Sequence, residues 1–193
     1  LVTFGITPSF AETGFGYIQA KPENDECLIL NVECFKEKPD LELAEQYIEE
    51  NSKLSIQNLP LKWYWNSGMF MFKAGVFLEE LKKYSPEIYE TCKIAIDNKK
   101  IENSTLRIQH SDMAAIPEDS IDYAVMEKSD KVKVIPSDIA WSDVGSFDAL
   151  YDELPKDENG NTLNDKHISV DSKNNLIYAK DRYIATVDME DCI

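Results

Sequence analysis

The sequence predicts a layered α/β domain, and three observations carry the prediction. Strand-like and helix-like segments alternate up to about residue 150. After Leu154 the texture changes: PKDENGN reads as a turn-rich linker, and HISV, NLIYA and YIATV follow as short strands. The 193 residues, 43% of them hydrophobic, suffice for one substantial core with a small appendage.

Leu1–Ile6 opens as a strand, followed by a loop with Pro8 and the run ETGFGYI, in which Gly14 and Gly16 stand two apart. Cys27–Phe35 carries apolar residues at alternate positions over part of its length and reads as a strand. Pro39 breaks that strand and Asp40 can cap the helix that follows. Leu41, Ala44, Tyr47 and Ile48 fall at helical spacing, and Asn51 can end the helix. Residues 52–62 read as loop. WYWNSGMFMF, Trp63–Phe72, is a strand interrupted by Asn66, Ser67 and Gly68. Ala74–Tyr84 reads as a helix.

Ser85-Pro86-Glu87 is a helix start, with a hydroxyl cap, proline at the first helical position and an acid in the first turn. That helix runs to about Asn98. Residues 99–117 show no clear pattern. Ser120–Lys128 is a helix with Ile121, Ala124 and Val125 on one face, and Val132–Ile135 is a short strand. Trp141–Gly145 is a tight segment leading into a helix from Ser146 to Tyr151.

A net charge of −16 repels polyanions at long range, which disfavours nucleic acid or an anionic membrane as a partner. A small phosphorylated ligand is still allowed, because one or two lysines can hold it. No apolar run approaches the length of a membrane span. Cys27, Cys34, Cys92 and Cys192 form no Cys-x-x-Cys pair and no disulfide framework, so a reducing cytosol is the expected setting. His110 and His167 are the only histidines, which disfavours a Ser-His-Asp triad or a His-rich metal site. LVTFGITP has neither initiator Met nor a basic region and reads as a strand already under way. The expectation is that the chain begins inside a larger domain.

Four clusters can carry chemistry. In ETGFGYI the two glycines allow close approach of a ligand to the backbone; the plainer reading is a turn between strands. The G-x-G-x-x-G fingerprint fails because Gln19 stands where the third glycine belongs. In FKEKPD a strand end delivers Glu37 beside Lys38, a carboxylate suited to sugar hydroxyls and a lysine suited to a phosphate. The alternative is an exposed charge pair before a helix. In WNSG, Asn66 can donate to and accept from a hydroxyl over an aromatic floor, unless the segment is only a bulge or bend. In WSDVGS, Asp143 is a hard-cation ligand candidate of the kind Mg²⁺ takes, unless Asp143 or Ser142 merely caps the next helix. Asp122 has a similar ambiguity, with an early-turn helix role favoured.

Taken in order, ETGFGYI, FKEKPD, YWNSGMFMF, SIDYAVMEK, WSDVGSF and KDENGN resemble the mannose-1-phosphate guanylyltransferase (GDP-mannose pyrophosphorylase) family. The bacterial form is the nearest, including the bifunctional type with a phosphomannose isomerase domain. The matches run from Leu1 to about Asn161. The resemblance implies the C-terminal part of a Rossmann-like nucleotidyltransferase domain with a mixed sheet. Residues 1–154 would be its sugar-binding half, and 155–193 a linker and the start of a β-rich extension of the kind that often serves dimerisation.

It further implies transfer of a nucleotide from GTP to mannose 1-phosphate, giving GDP-mannose and pyrophosphate for polysaccharide biosynthesis, with Mg²⁺ as cofactor. By match to the motifs, Gly14 lets the backbone approach the sugar, Glu37 binds hydroxyls, Lys38 holds the sugar's phosphate, Asn66 contacts a hydroxyl and Asp143 ligates Mg²⁺. The glycine-rich loop, its Arg-Leu-x-Pro run and a second metal-binding Asp of the family are not in this sequence, so the chain is expected to be inactive alone. A non-catalytic sugar-phosphate-sensing subunit and a pyrophosphorylase for another hexose 1-phosphate are the alternatives.

Overall fold

The computed structural model describes residues 1–22, 28–57, 61–102 and 105–193. The expected strand start at Cys27 lies outside the described residues. The chain forms two compact units, Leu1–Ile139 and Ala140–Ile193. They divide ahead of the turn-rich stretch where the sequence places a boundary.

In chain order the first unit holds β1 Val2–Ile6, β2 Tyr17–Pro22, β3 Leu30–Lys36, α1 Leu41–Gln57, β4 Lys62–Met71, α2 Ala74–Tyr84, α3 Pro86–Asp97, β5 Lys100–Glu102 and β6 Thr105–Arg107. Then come α4 His110–Ala114, a π-helical turn Asp122–Met126 and β7 Lys133–Ser137. Five strands close a ring in the order β1-β4-β2-β3-β7. The β1–β7 pair is parallel and the others are antiparallel. Its core is Ile18, Ala20, Leu30, Phe35, Tyr64, Met126, Val132 and Val134. Leu81, Ala124 and Val125 form a second cluster with Phe77 and Ile88. The α/β content agrees with the expectation, and no helix among the described residues is long and apolar enough to cross a membrane.

Four local departures have physical reasons. Asn51 does not end α1, which runs on to Gln57. Its amide instead accepts from the Trp63 backbone N–H at 2.8 Å and donates to the Trp63 carbonyl at 2.9 Å, tying α1 to β4. Ser85 makes no side-chain cap on α3; its hydroxyl donates to the Ala124 carbonyl at 2.9 Å. The segment expected as a plain helix at Ser120–Lys128 winds as a π-helical turn, closed by the Glu127 N–H on the Asp122 carbonyl at 2.9 Å. The Asn-Ser-Gly break lies inside one continuous strand as a bulge. Asn66 pairs with Gly5 and Phe70 with Thr3, so Ser67, Gly68 and Met69 face Phe4 alone. Gly68 sits at φ +71°, a region open mainly to glycine.

The second unit holds α5 Phe147–Glu153, β8 His167–Val170 and β9 Ile184–Val187. β8 and β9 pair in parallel, and Asn161 and Asn175 are fully buried. Asn161 Nδ2 donates to the Ser172 carbonyl, and Asn175 Nδ2 donates to Asn161 Oδ1 at 2.8 Å. The expected strand in NLIYA does not form. Its N–H groups go sideways, Leu176 to the Cys192 carbonyl and Ile177 to Thr162 Oγ1.

Candidate functional site

Three neighbouring strands build the site by simple alternation. Ile18 of β2 lies opposite Phe35 of β3 and Tyr64 of β4, all on the core face. Side chains two residues apart share a face of a strand. The next row on that face is therefore Gly16, Glu37 and Asn66, where the apolar core turns polar. The contacts agree. The Asn66 N–H donates to the Gly16 carbonyl at 2.7 Å. A Cβ placed on Gly16 would collide with Glu37 Oε2 and come within 3.3 Å of the Asn66 Cβ. Only glycine leaves that carboxylate where it is.

The Glu37 side chain is 10% exposed. Its Oε2 is buried with no hydrogen-bond partner among the described residues. A buried oxygen without a donor is costly unless a ligand supplies one. Burial pushes the Glu37 carboxyl above the usual range, and the charge of Asp122 adds to it. Lys38 opposes the rise, and Glu127 contributes to it weakly. The Glu37 backbone N–H donates to Glu127 Oε1 at 2.7 Å. Lys38 follows the end of β3 at φ +43°, and the buried Pro39 comes next. This left-handed step sets the Lys38 Nζ 3.9 Å from Glu37 Oε1, with the side chain 59% exposed. Both charges of the pair thus stand at one strand end.

Asn66 is buried and almost fully committed. Its Oδ1 accepts from the Gly68 N–H at 3.2 Å and lies 3.0 Å from the Thr3 hydroxyl, whose one proton it shares with the Met69 carbonyl at 3.1 Å. Its Nδ2 donates to Asp122 Oδ1 at 3.0 Å. Asp122 also titrates above its ordinary range: burial raises it, outweighing its own backbone hydrogen bond and that from Asn66.

Two expectations are corrected. Asp122 does more than sit in an early helical turn; it grips Asn66. The tryptophans also do not floor the site. Tyr64 shares the face of Asn66, whereas Trp63 and Trp65 alternate to the other side. There Trp63 stacks on Tyr47 with ring centroids 3.6 Å apart, and Phe10 and Phe15 meet Trp65 edge-on at 5.0 and 5.3 Å.

Gly14 lies in an exposed turn, its N–H on Glu12 Oε1 at 2.7 Å, and a Cβ there would meet only Glu12. The structure therefore brings Gly16, Glu37, Lys38 and Asn66 together and leaves Gly14 in the adjoining loop. Glu127 and Thr3 were not nominated by sequence, and Asp122 was noted only for a metal or helix-turn role; the contacts of all three cross between elements and carry no local spacing signal.

In the second unit Asp143 is exposed, and its carbonyl accepts from the Gly145 N–H at 2.8 Å. Ser146, not Asp143 or Ser142, caps α5 by accepting from the Ala149 N–H at 3.1 Å. No group of three or more His, Cys, Asp or Glu that could hold a metal occurs among the described residues. The exposed Asp143 carboxylate offers a hard oxygen donor of the kind Mg²⁺ takes. A groove of about 630 Å³ in the same unit is lined by residues such as Phe147, Leu150, Leu176 and Ile184. Its lining is mainly apolar and carries no charged side chain.

A carboxylate, an amide and a lysine thus meet on neighbouring strands of a mixed α/β fold. The chain belongs to the nucleotidyl transferase family, whose sequence model matches residues 1–160. Among its curated relatives, Mannose-1-phosphate guanylyltransferase 2 of Escherichia coli O157:H7 is 39% identical over 201 residues, covering all of this chain and 39% of that protein. Alginate biosynthesis protein AlgA of Pseudomonas aeruginosa is 36% identical over 198 residues, covering all of this chain and 38% of that protein. The chain thus spans about two-fifths of the length of these relatives. Among solved structures, a Thermus thermophilus protein described as a mannose-1-phosphate geranyltransferase superposes with TM-score 0.72 and 28% identity, over 98% of this chain and 51% of that one. A Helicobacter pylori mannose-6-phosphate isomerase does so with TM-score 0.61 and 35% identity, over 74% of this chain and 51% of that one.

Proposed function

We propose that this chain supplies the sugar-phosphate side of a mannose-1-phosphate guanylyltransferase, which makes GDP-mannose and pyrophosphate from GTP and mannose 1-phosphate. The observation that carries the reading is the buried, unpartnered Glu37 Oε2 set between Gly16 and Asn66 with the Lys38 ammonium beside it. The names of the relatives support the choice of sugar and nucleotide.

In this reading Glu37 accepts from sugar hydroxyls and Asn66 donates to one. The backbone around Gly14 and Gly16 lies against the ring. Lys38 neutralises the sugar's phosphate and holds it for in-line attack. An oxygen of that phosphate forms a bond to the α-phosphorus of GTP while the bond to the β-phosphate oxygen breaks, and pyrophosphate leaves. Positioning and charge neutralisation carry such a transfer. Asp143 would hold Mg²⁺, which when bound offsets phosphate charge. Residues 1–154 are read as the sugar-binding half of a nucleotidyltransferase domain, and 155–193 as the start of a β-rich region serving a cytoplasmic homo-oligomer.

The test is pyrophosphate release by the protein that carries this chain, with GTP, Mg²⁺ and either mannose 1-phosphate or glucose 1-phosphate. Release dependent on mannose 1-phosphate supports the reading. Equal or greater release with glucose 1-phosphate overturns the sugar assignment, and release with neither overturns the catalytic one.

A further inference from the structure

We infer that Asp122 and Glu127 are positioning residues for the sugar site, and that by holding its amide Asp122 turns a donor of Asn66 toward the ligand. The inference rests on the reading of Glu37 and Asn66 as hydroxyl-binding groups.

The argument starts from the orientation of one amide. The Gly68 N–H can only donate, so the atom of Asn66 facing it is the carbonyl oxygen. The opposite atom, Nδ2, faces the Asp122 carboxylate, an acceptor when ionised. Oδ1 already has two partners, the Gly68 N–H and the fully buried Thr3 hydroxyl. Both lone pairs of the amide oxygen face these two groups, the Thr3 proton being shared with the Met69 carbonyl at 3.1 Å, and both groups fill the space on that side of the amide. One hydrogen on Nδ2 is left over. The face of Asn66 turned away from Thr3 and Gly68 therefore offers a ligand a donor. Ionised Glu37 is the complement, since its Oε2 can only accept. A ligand meeting both must accept at one point and donate at the other, which hydroxyls do and ethers do not.

The π-helical turn places the two carboxylates. Residues five apart on an α-helix point about 140° away from each other, at about 100° per residue. Closing the turn from the Glu127 N–H to the Asp122 carbonyl brings positions 122 and 127 over one face. From there Asp122 holds the Asn66 side chain on β4, and Glu127 holds the Glu37 backbone N–H at the end of β3. One turn thus grips the site on both sides of β2.

A double-mutant cycle tests the inference, read as KM for mannose 1-phosphate at saturating GTP, beside KM for GTP. Asp122→Ala is expected to raise the sugar-phosphate KM about tenfold, the loss of one such hydrogen bond, and to leave KM for GTP unchanged. Asp122→Asn keeps an acceptor oxygen and is expected to restore the KM to within about twofold of native. In an Asn66→Ala background, Asp122→Ala is expected to add nothing. A full tenfold loss in that background overturns the inference, because Asp122 would then act without Asn66. So does failure of Asp122→Asn to rescue.

Should Asp122→Ala not fold, Thr3→Val removes a partner from the other end of the same amide. It is expected to raise the KM severalfold with Asn66 present and not at all with Asn66→Ala, and additive effects overturn the inference. Glu127→Gln, which keeps an acceptor for the Glu37 N–H, is expected to outperform Glu127→Ala in the same assay; equal KM values overturn its half. Calorimetry of native protein with mannose 1-phosphate and glucose 1-phosphate separates the two levels. Binding of either sugar with an additive cycle overturns the positioning claim alone, whereas binding of neither overturns the sugar-site reading and the inference with it.

Discussion

Adding one methyl group at Gly16 would displace a carboxylate without greatly disturbing the fold. The new Cβ would collide with Glu37 Oε2, the free end of a flexible side chain, and approach the Asn66 Cβ to 3.3 Å. Overpacking of this kind costs about 1–3 kcal/mol. The lower end applies, because the carboxylate can rotate away while the backbone stays. A loss near 1 kcal/mol lowers Tm by about 2–4 °C in a chain of this size. Binding suffers more. Removing a charge-assisted hydrogen bond costs about 1.5–3 kcal/mol, or about 10- to 150-fold in sugar-phosphate KM. Gly14→Ala is the comparison and is expected to show the smaller defect, since its Cβ would meet only the flexible Glu12 side chain, nearest at Oε1, 3.1 Å. The assay is pyrophosphate release against mannose 1-phosphate concentration, with thermal unfolding of each variant. Gly16→Ala with native KM, or Gly14→Ala with the larger defect, refutes the row of Gly16, Glu37 and Asn66 as the sugar face.

Other expectations follow from the same geometry. Lys38→Ala should raise the KM for mannose 1-phosphate and change that for GTP little; an unchanged response to mannose 1-phosphate removes Lys38 from the site. Asp143→Asn should shift the Mg²⁺ requirement to higher concentration or abolish turnover, and a native Mg²⁺ titration removes Asp143 as a ligand. Glu37 and Asp122 both titrate above their ordinary ranges because burial penalises their charge. Folded protein therefore holds protons that the unfolded chain has released, and these two groups subtract stability as pH rises from the ordinary carboxylate range through their raised values. The double variant Glu37→Gln/Asp122→Asn should show a flatter acid-to-neutral stability profile than native protein in denaturant titrations; an unaltered profile contradicts the burial argument.

Much of the site was legible because Glu37 and Lys38 stand at a strand end and Asn66 interrupts an aromatic run. FKEKPD announced both a strand stop and an adjacent acid and lysine, and Asp40 does cap α1 by accepting from the Leu43 N–H at 2.9 Å. The helices at Ala74–Tyr84 and Pro86–Asp97 followed from spacing and from proline at the first turn. What escaped was everything decided across strands. Asn51 looked like a helix stop because asparagine is a weak helix former, yet pairing with both polar groups of the Trp63 backbone overrode that preference. The alternation that sends Trp63 and Trp65 away from Asn66 was present in the sequence, but an aromatic run hides which face each ring takes. Asp122 and Glu127 carry an α-helical pattern, and the π-helical turn that joins their roles leaves no periodic mark.

The left-handed backbone at Lys38 sets natural selection for durability against selection for use. A lysine held at φ +43° forfeits about 1–2 kcal/mol relative to a relaxed conformation. Glycine would recover that and give back only about 0.5–1 kcal/mol through its freer unfolded chain. A library screened for thermal survival alone should therefore enrich Lys38→Gly, and the same clones should be depleted when growth depends on the sugar nucleotide. Positions where two such screens disagree would map the working face of this protein without a ligand in hand.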